Sequence, residues 1–248
     1  MEGALLSVEN VSVYYHTPQG ETEAVRDLSF SVGKGEFVAV VGPSGCGKTT
    51  VLSLIMGLHP PSLGKVRFPQ GPCPMGYMLQ RDNLLEWRTL EKNAVLGLEV
   101  RHKLNEKTRE RTVALLRKYG LGDFLSHYPS QLSGGMRQKA ALIRTLALDP
   151  ELLLLDEPFS ALDYQTRLTL ADEVFSIIHA EGKTALLVTH DIGEAVSMAD
   201  RVLVFTDRPA TLRREIVLSF PKGMTPLQRR EEPAFQEYFA AIWKELER

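Results

Sequence analysis

Up to Val41, the apolar residues come in short runs that end at turn residues. The runs read LLSVENVSVYY, AVRDLSFSV and EFVAVV, and TPQG and GKG separate them. Runs rich in β-branched residues and bounded by Gly or Pro predict strands. The stretch Phe37–Val41 is apolar throughout, which is typical of a strand buried on both faces. Two more short strands are predicted at GKVRF and MGYML.

A helical period replaces this pattern from about residue 84 to residue 149. In TRERTVALLRKYG, for example, Val113, Leu116 and Tyr119 are predicted to lie near one face of a helix that Gly120 ends. Since strand patterns precede and follow this stretch, we interpret it as a helical insertion within one domain that spans residues 1–225.

Strand and helix patterns alternate after the insertion. They read LLLLD, YQTRLTLADEVFSIIHAEG, TALLVTH, DIGEAVSMA, RVLVFT and REIVLSF. This alternation predicts a parallel sheet with crossover helices, and therefore the α/β class. The last segment, residues 226–248, is predicted to be one amphipathic helix that packs on its own domain. Its apolar stripe consists of Phe235, Phe239, Ile242, Trp243 and Leu246.

Composition narrows the functional classes. The chain has 248 residues, 44% hydrophobic and 24% charged, with a net charge of −2, which is ordinary globular composition. A near-neutral chain has no global positive field for nucleic acid, and no nucleic-acid partner is expected. No membrane span or signal peptide is predicted. Cys46 and Cys73 offer neither a disulfide framework nor a metal site. Cys46 is interpreted as a small tolerated side chain, with a thiol of lowered pKa as the alternative.

The segment after Val41 reads GPSGCGKTT and matches G-x-x-x-x-G-K-[ST]. Between a strand and a helix, this motif surrounds phosphate oxygens with backbone amides and a helix N-terminus. Lys48 adds positive charge, and the Thr49 hydroxyl is suited to bind Mg²⁺. We therefore predict nucleotide binding, with a plain strand-to-helix turn as the alternative. The predicted nucleotide-binding residues of this loop are Gly42, Pro43, Ser44, Gly45, Cys46, Gly47, Lys48, Thr49 and Thr50.

Three further polar positions follow predicted strands. Asp156 and Glu157 come directly after four leucines, His190 follows TALLVT, and Gln80 closes MGYMLQ. Ligands bind at the carboxyl edge of an open α/β sheet. We predict Asp156, Thr49 and Gln80 as Mg²⁺ ligands, and Glu157, His190 and Gln80 as catalytic residues that act on water and the γ-phosphate. Solvated carboxylates and a structural histidine are the alternatives.

The motif LSGGMRQ begins a helix in an unusual way. Ser133 is a good N-cap, whereas Gly134 and Gly135 are poor residues for a first helical turn. Exposed backbone amides at a second anion site explain their presence. One phosphate group has no need of two glycine-built sites in one chain, but a nucleotide shared between two chains does. The buried stripe of this helix is predicted at Met136, Ala140, Ile143 and Ala147.

The ordered set of motifs resembles the ATP-binding subunit of an ABC transporter over roughly residues 5–220. It consists of GPSGCGKTT, Gln80, LSGGMRQ, LLLLDEP, SALD and His190. The resemblance implies the ABC ATPase fold: a P-loop NTPase core of the RecA-like type, N-terminal antiparallel strands and an inserted helical subdomain. It implies the cofactors ATP and Mg²⁺ and a homodimer with ATP between the phosphate loop of one copy and the LSGG segment of the other. Residues 161–163 would then lie at the subunit seam.

The same resemblance implies an aromatic side chain stacked on adenine. Tyr15 aligns best with that position, and Tyr14 is the alternative. Packing of the tyrosine in the core or on the surface is the competing interpretation.

A closer resemblance is to the nitrate, sulfonate and taurine importer branch. It is carried by QRDNLLEWRTLEKNAVLGLE, SGGMRQ, ALDYQTR and DRPATLRREIVLSFP. Glu86 stands where that branch usually has proline, and the segment from Gly57 to Gln80 is short, which leaves the solute open. The resemblance implies an ATPase on the cytoplasmic face of the membrane that powers uptake through separate permease subunits. An extracytoplasmic solute-binding protein would act only through the permease.

The surface around QRDNLLEW is predicted to receive the permease through Leu84, Leu85 and Trp87. Packing of these three side chains in the subdomain hinge is the alternative. Two other functional classes compete with the importer: a soluble P-loop kinase or nucleic-acid ATPase, and an ATP-gated binding module without turnover. The LSGG motif argues against a kinase, and the long insertions of DNA-repair relatives, which this sequence lacks, argue against a nucleic-acid ATPase. The presence of both Glu157 and His190 argues against a module without turnover.

Overall fold

The computed structural model describes residues 3–17 and 20–247. In chain order the strands are β1 (Ala4–Thr17), β2 (Gly20–Gly33), β3 (Phe37–Val41), β4 (Leu63–Arg67), β5 (Met75–Met78), β6 (Leu152–Asp156), β7 (Thr184–Thr189), β8 (Arg201–Phe205) and β9 (Leu212–Val217). The α-helices are α1 (Lys48–Ile55), α2 (Leu90–Ala94), α3 (Leu96–Val100), α4 (Glu106–Lys118), α5 (Gly134–Leu146), α6 (Tyr164–Ala180), α7 (Ile192–Met198), α8 (Pro226–Glu231) and α9 (Pro233–Leu246). Two short 3-10 turns, Gly122–Phe124 and Pro129–Gln131, precede α5.

A six-stranded sheet forms the centre of the molecule, in the order β5-β6-β7-β3-β8-β9. Its strands pair in parallel from β5 to β8. The prediction of a parallel sheet is wrong for the last strand, because β9 pairs with β8 in antiparallel. Residues 206–211 are too few for the helical crossover that a parallel return requires, so the chain turns back as a hairpin.

The central strand β3 is buried on both faces, as its apolar sequence predicts. Val38 and Val40 pack on one side with α1 and the N-terminal strands. Phe37, Ala39 and Val41 pack on the other side with the helices that follow. Because side chains alternate along a strand, one short apolar run serves two hydrophobic layers and fixes the carboxyl end of β3 between them.

The N-terminal strands form a separate antiparallel sheet in the order β2-β1-β4. β1 and β2 pair along most of their length, from Ala4 with Gly33 to Thr17 with Gly20. The middle of the predicted TPQG turn, Pro18 and Gln19, lies outside the described residues. The predicted strands at GKVRF and MGYML are confirmed as β4 and β5.

The predicted helical insertion contains α2 to α5. In α4, the buried residues are Thr112, Leu115 and Leu116, while Val113 and Tyr119 are only partly buried, so the apolar face is rotated from the predicted one. Gly120 follows the helix with φ 78°, a conformation that suits a helix end. In α5, the predicted stripe is buried at Ala140, Ile143 and Ala147 and partly buried at Met136.

The prediction of a single C-terminal helix is wrong, because the chain breaks between α8 and α9. Glu232 is extended, with φ −73° and ψ 138°, directly before Pro233. Proline lacks the amide hydrogen that would continue a helix, and it disfavours helical geometry in the residue before it. The apolar stripe lies on α9 and packs on α7, β8 and β9, with Phe235 and Ile242 buried and Trp243 half exposed. Arg248 lies outside the described residues, and the predicted domain boundary at residue 225 stays a prediction.

Candidate nucleotide-binding and catalytic site

The loop between β3 and α1 is shaped by its glycines and its lysine. Gly45 and Gly47 have φ 76° and 126°, in the region that favours glycine, and a Cβ at Gly47 would lie 2.9 Å from the Ala24 carbonyl oxygen. Gly47 caps α1 without a side-chain hydrogen bond, so no capping side chain covers the first amides of the helix. This is the arrangement of a phosphate-binding loop.

The Lys48 side chain is buried in this loop. Its Nζ donates to the carbonyl oxygens of Gly42 and Pro43, both at 2.8 Å. These two hydrogen bonds hold the Lys48 ammonium group at the loop, where it would also contact a bound phosphate. Cys46 is buried as well, and burial raises the pKa of its thiol, so the alternative of a lowered pKa is wrong.

Thr49 and Asp156 meet beneath the phosphate loop. The Thr49 hydroxyl donates to Asp156 Oδ1 at 3.2 Å, and the Tyr77 hydroxyl donates to Asp156 Oδ2 at 2.9 Å. Burial raises the pKa of Asp156, and both hydrogen bonds oppose that shift. Two hard oxygen atoms side by side fit Mg²⁺, which binds few protein ligands and keeps several waters. Tyr77 was not identified from the sequence; the signal was a hydroxyl on the strand beside the one that ends in Asp156.

Glu157, Gln80 and His190 meet at the same sheet edge. Glu157 Oε2 lies 3.4 Å from Gln80 Nε2 and 3.1 Å from His190 Nδ1. Gln80 Nε2 also donates to Ser160 Oγ at 3.1 Å, a contact that the sequence did not predict. Glu157 has φ 46°, and its amide donates to Val188 O at 2.8 Å. A strained backbone at a polar cluster is typical of functional sites.

Ser133, Gly134 and Gly135 lie at the start of α5, as predicted. The Ser133 hydroxyl caps the helix by accepting from the Met136 amide at 3.3 Å. Ser133 and Gly134 are exposed. A Cβ at Gly134 or Gly135 would meet Leu162 at 3.0 Å or Thr166 at 3.2 Å, respectively, and neither neighbour belongs to the phosphate loop. No atom of the phosphate loop is thus among the nearest neighbours of a Cβ at either glycine.

Helix α5 also holds the segment that follows Gln80. Gln138 Nε2 donates to Gln80 O at 3.3 Å, and Arg137 pairs with Asp82 at 3.0 Å and with Glu86 at 3.4 Å. Arg144 donates to the carbonyl oxygens of Asp82 and Asn83 at 2.6 and 2.8 Å, and these two hydrogen bonds also hold the segment on α5. Glu86, the departure from the branch pattern, therefore has an ion-pair partner in the LSGGMRQ helix.

The two candidate tyrosines have different surroundings. Tyr15 is partly buried against the apolar layer that contains Val38 and Val40. The Tyr14 hydroxyl bonds to Glu23, and this hydrogen bond raises the pKa of Tyr14. Stacking of either ring on adenine stays a prediction.

The fold and the loop geometry define a P-loop nucleotide hydrolase. A family model described as ABC transporter matches residues 25–160. The ABC transporter ATP-binding protein YtlC of Bacillus subtilis, itself uncharacterized, is 48% identical over 98% of this chain and 96% of its own. The taurine import ATP-binding protein TauB of Yersinia pestis is 40% identical over 85% of this chain and 84% of its own. The chain therefore belongs to the ABC transporter family, as an ATP-binding subunit with ATPase activity.

A solved structure supports the fold assignment. It is a dimeric ATP-binding cassette in a post-hydrolysis state bound to ADP and Pi, with a TM-score of 0.74 and 28% identity. The match covers 87% of this chain and 100% of that one. The predicted ABC ATPase fold is confirmed. Among the residues that the structure describes, no helix is long and apolar enough to cross a membrane.

Proposed function

We propose that the chain is the ATP-hydrolysing subunit of an importer for a small solute such as a sulfonate, taurine or nitrate. The observation that carries the catalytic part is the contact of Glu157 with both Gln80 and His190, at the sheet edge that also holds Thr49 and Asp156. The importer part rests on relatives named for taurine and nitrate import, at 40% and 38% identity.

Each residue has a distinct task in this proposal. The backbone N–H groups of residues 44–50 and the Lys48 ammonium group hold the phosphates. Thr49, Asp156 and Gln80 would hold Mg²⁺, which would neutralise phosphate charge. Glu157 accepts a hydrogen bond from the attacking water and aligns it with the γ-phosphate. His190 and Gln80, both in contact with the Glu157 carboxylate, fix its rotamer and complete the polar lining of the site.

Two copies are needed for turnover. Ser133 and Gly134 are exposed and Gly135 is partly exposed, and the nearest neighbours of a Cβ at either glycine lie outside the phosphate loop of the same chain. In the proposed homodimer these three residues bind the γ-phosphate of the nucleotide held by the second copy, and residues 161–163 meet at the seam. A dimeric solved relative bound to ADP and Pi supports this arrangement.

The permease subunits are the proposed membrane partners, so that this subunit sits peripherally on the cytoplasmic face. The solute-binding protein acts only through them. Within QRDNLLEW, Leu84 is buried in the core and Leu85 is partly buried, so hinge packing accounts for Leu84. Trp87 is 75% exposed and is free for a partner. On α3, Val100 is 70% exposed, and the neighbours of these two residues in sequence, Arg88 and Glu99, pair at 2.7 Å. Exposed apolar residues on two segments that are joined in this way favour an interface.

Trp87→Ala tests this partner surface. Interfaces take much of their energy from buried aromatic residues, so we expect the permease complex to weaken by about 2 kcal/mol or more. Co-purification with the permease measures the loss, while hydrolysis by the isolated subunit and its thermal stability stay unchanged. Val217→Ala, at an exposed apolar residue of β9 outside both the QRDNLLEW segment and residues 161–163, serves as the control for permease binding. Intact assembly with a destabilised subunit would contradict the proposal.

Two further measurements test the activity and the solute. The purified chain should release phosphate from ATP without transferring it to small acceptors, and the release should change when the permease is present in vesicles. Deletion of the gene should abolish growth on one sulfur or nitrogen source, among taurine, alkanesulfonates and nitrate. Normal growth on all three would contradict the proposed solute class.

A further inference from the structure

Arg167, on the first turns of α6, contacts two segments that are separate in sequence. Its Nη2 donates to Leu162 O at 3.2 Å, and its Nη1 donates to Asp191 Oδ2 at 3.3 Å. Its Nε lies 3.9 Å from Glu194 Oε1 and has no closer hydrogen-bond partner. The side chain is 22% exposed. One guanidinium group thus joins the 161–163 segment to the residues after His190.

The residues on both sides of His190 are held through these contacts. Thr189 Oγ1 donates to Glu194 Oε2 at 2.6 Å and accepts from the Asp191 amide at 3.0 Å. Asp191 Oδ1 caps α7 by accepting from the Glu194 amide at 3.1 Å. Because Thr189 and Asp191 flank His190, the position of its imidazole depends on this cluster.

Arginine suits this position for a geometric reason. Its planar fork donates in several directions at once, which the single ammonium group of lysine cannot do. Burial raises the pKa of Glu194 to about 7, while the Thr189 hydrogen bond and the nearby charges of Arg167 and His190 oppose the shift. The guanidinium group therefore also offsets the cost of a buried acid, since a buried charge without a partner is expensive.

We propose that Arg167 is a positioning residue that holds the backbone of residues 161–163 and the His190 segment in one fixed relative geometry. The catalytic consequence rests on the proposed function, in which residues 161–163 touch the second copy. Formation of the dimer would then set the position of His190 through the Leu162 carbonyl group and the Arg167 fork. A chain without this link would bind ATP normally but would place His190 imperfectly against Glu157.

Amide hydrogen exchange of the nucleotide-free chain tests the link. In Arg167→Gln, we expect exchange to rise about tenfold in two segments together, residues 160–164 and 189–194, because each loses a hydrogen bond to a charged group. Arg111→Gln is the matched control: Arg111 pairs with Asp149 at 2.9 Å and contacts neither segment. A rise in only one segment, or a uniform rise over the whole chain, overturns the proposal.

A conservative variant separates positioning from simple charge balance. Arg167→Lys keeps a positive charge beside Asp191 and Glu194 but cannot bond to Leu162 O at the same time. We expect it to restore thermal stability and exchange protection at residues 189–194, while residues 160–164 remain fast. If lysine restores both segments, charge alone suffices and the proposal is wrong. This variant also serves if Arg167→Gln does not fold.

Turnover adds a second readout. In Arg167→Lys, kcat should fall about tenfold, the fold-change that loss of one such hydrogen bond gives, with an unchanged KM for ATP. An equal rise in KM would indicate damage to nucleotide binding and overturn the positioning role. The exchange measurement needs no nucleotide, so it decides the link even if the unsubstituted chain hydrolyses no ATP, which would refute the proposed function instead.

Discussion

Two helices of this molecule begin with glycines, yet their surroundings differ. At α1, Lys48 is buried under the loop carbonyl groups and Thr49 contacts the carboxylate of Asp156. At α5, Ser133 and Gly134 face solvent, and the neighbours of the glycines are the aliphatic parts of Leu162 and Thr166. The first helix start has the Lys48 ammonium group and the Asp156 carboxylate within hydrogen-bond distance of its residues. At the second, Lys139 and Glu173 line the same cavity as Ser133 and Gly135, but they pair with each other at 2.8 Å.

This difference shows that two glycine-rich helix starts can have different surroundings and therefore different binding properties. A helix N-terminus attracts anions, but a lone set of amides binds them weakly in water. In the proposed function, the additional charges at α1 let that site hold a nucleotide by itself. The α5 site would gain its ligand only from a nucleotide that a second copy of the chain delivers.

Substitution of Ser133 by arginine should give the largest loss of ATP hydrolysis. The added side chain blocks the α5 amides, and we expect ATP hydrolysis to fall about a thousandfold, as for loss of a contact made in trans to a γ-phosphate. ATP affinity of the isolated subunit should not change. Phosphate release and binding of a fluorescent ATP analogue measure the two quantities.

Ser126→Arg, at an exposed serine of the same insertion, is the matched control and should keep full activity. Weaker ATP binding by the Ser133→Arg monomer would place that serine beside its own nucleotide. The contrast between the two helix starts would then be lost.

Glu157→Gln should give the next largest loss of ATP hydrolysis. It leaves both helix starts unchanged. Hydrolysis should fall about a hundredfold or more, since the water loses its base or orienting group. ATP should remain bound and hold two copies together, seen as doubled mass in size exclusion with ATP. Adding Ser133→Arg to this variant should return the monomer. A monomer in the single variant at saturating ATP would contradict the shared site.

Alanine at the two kinds of glycine should separate folding from function. At Gly47, with φ 126° and a Cβ 2.9 Å from Ala24 O, alanine should cost about 2 kcal/mol of unfolding free energy. At Gly134, a helical residue whose Cβ meets only the movable end of Leu162, the cost should stay below about 1 kcal/mol while turnover falls. Urea unfolding measures both, and equal costs would argue that the two glycines have the same role.

Tyr77→Phe should give the smallest effect and acts on the α1 side alone. Removal of the hydroxyl costs Asp156 one hydrogen bond, about 1 kcal/mol, or fivefold in the Mg²⁺ concentration for half-maximal activity. That bond lowers the pKa of Asp156, so its loss should raise this pKa and move the acidic limb of the pH–rate profile to higher pH.

Tyr238→Phe, which removes a hydroxyl that accepts from the Ser219 amide at 3.1 Å, is the control and should change neither quantity. An unchanged Mg²⁺ requirement in Tyr77→Phe would show that Thr49 alone orients the Asp156 carboxylate.

The sequence predicts the elements well because their signals are local. The apolar run at β3 and the glycines of the phosphate loop each specify a strand and a turn without reference to distant residues. The pattern of strands and helices does not predict the direction of β9, because that direction follows from the length of the connection to β8. The break at Pro233 is not predicted because the apolar stripe continues past the proline.

Contacts between distant segments escaped prediction for a different reason. The sequence supplied Asp156 and Glu157 as candidates, and their roles stay predictions. The contacts of Tyr77, Ser160 and Arg167 join segments that meet only in the folded chain. The hydrophobic periodicity of the sequence therefore does not predict these contacts. Within QRDNLLEW, burial of Leu84 and exposure of Trp87 depend on how one loop lies over α5, which spacing along the chain does not encode.

The burial of Cys46 has a consequence for chemical labelling of the protein. The thiolate is the form that alkylating reagents attack, and this thiol is 1% exposed with a raised pKa. Modification therefore requires that the phosphate loop open first. The rate of alkylation at Cys46, compared with that at the less buried Cys73, then measures how often the loop opens. In the proposed function ATP occupies this loop and opposes its opening, so slower labelling at Cys46 alone would report nucleotide occupancy without any added probe.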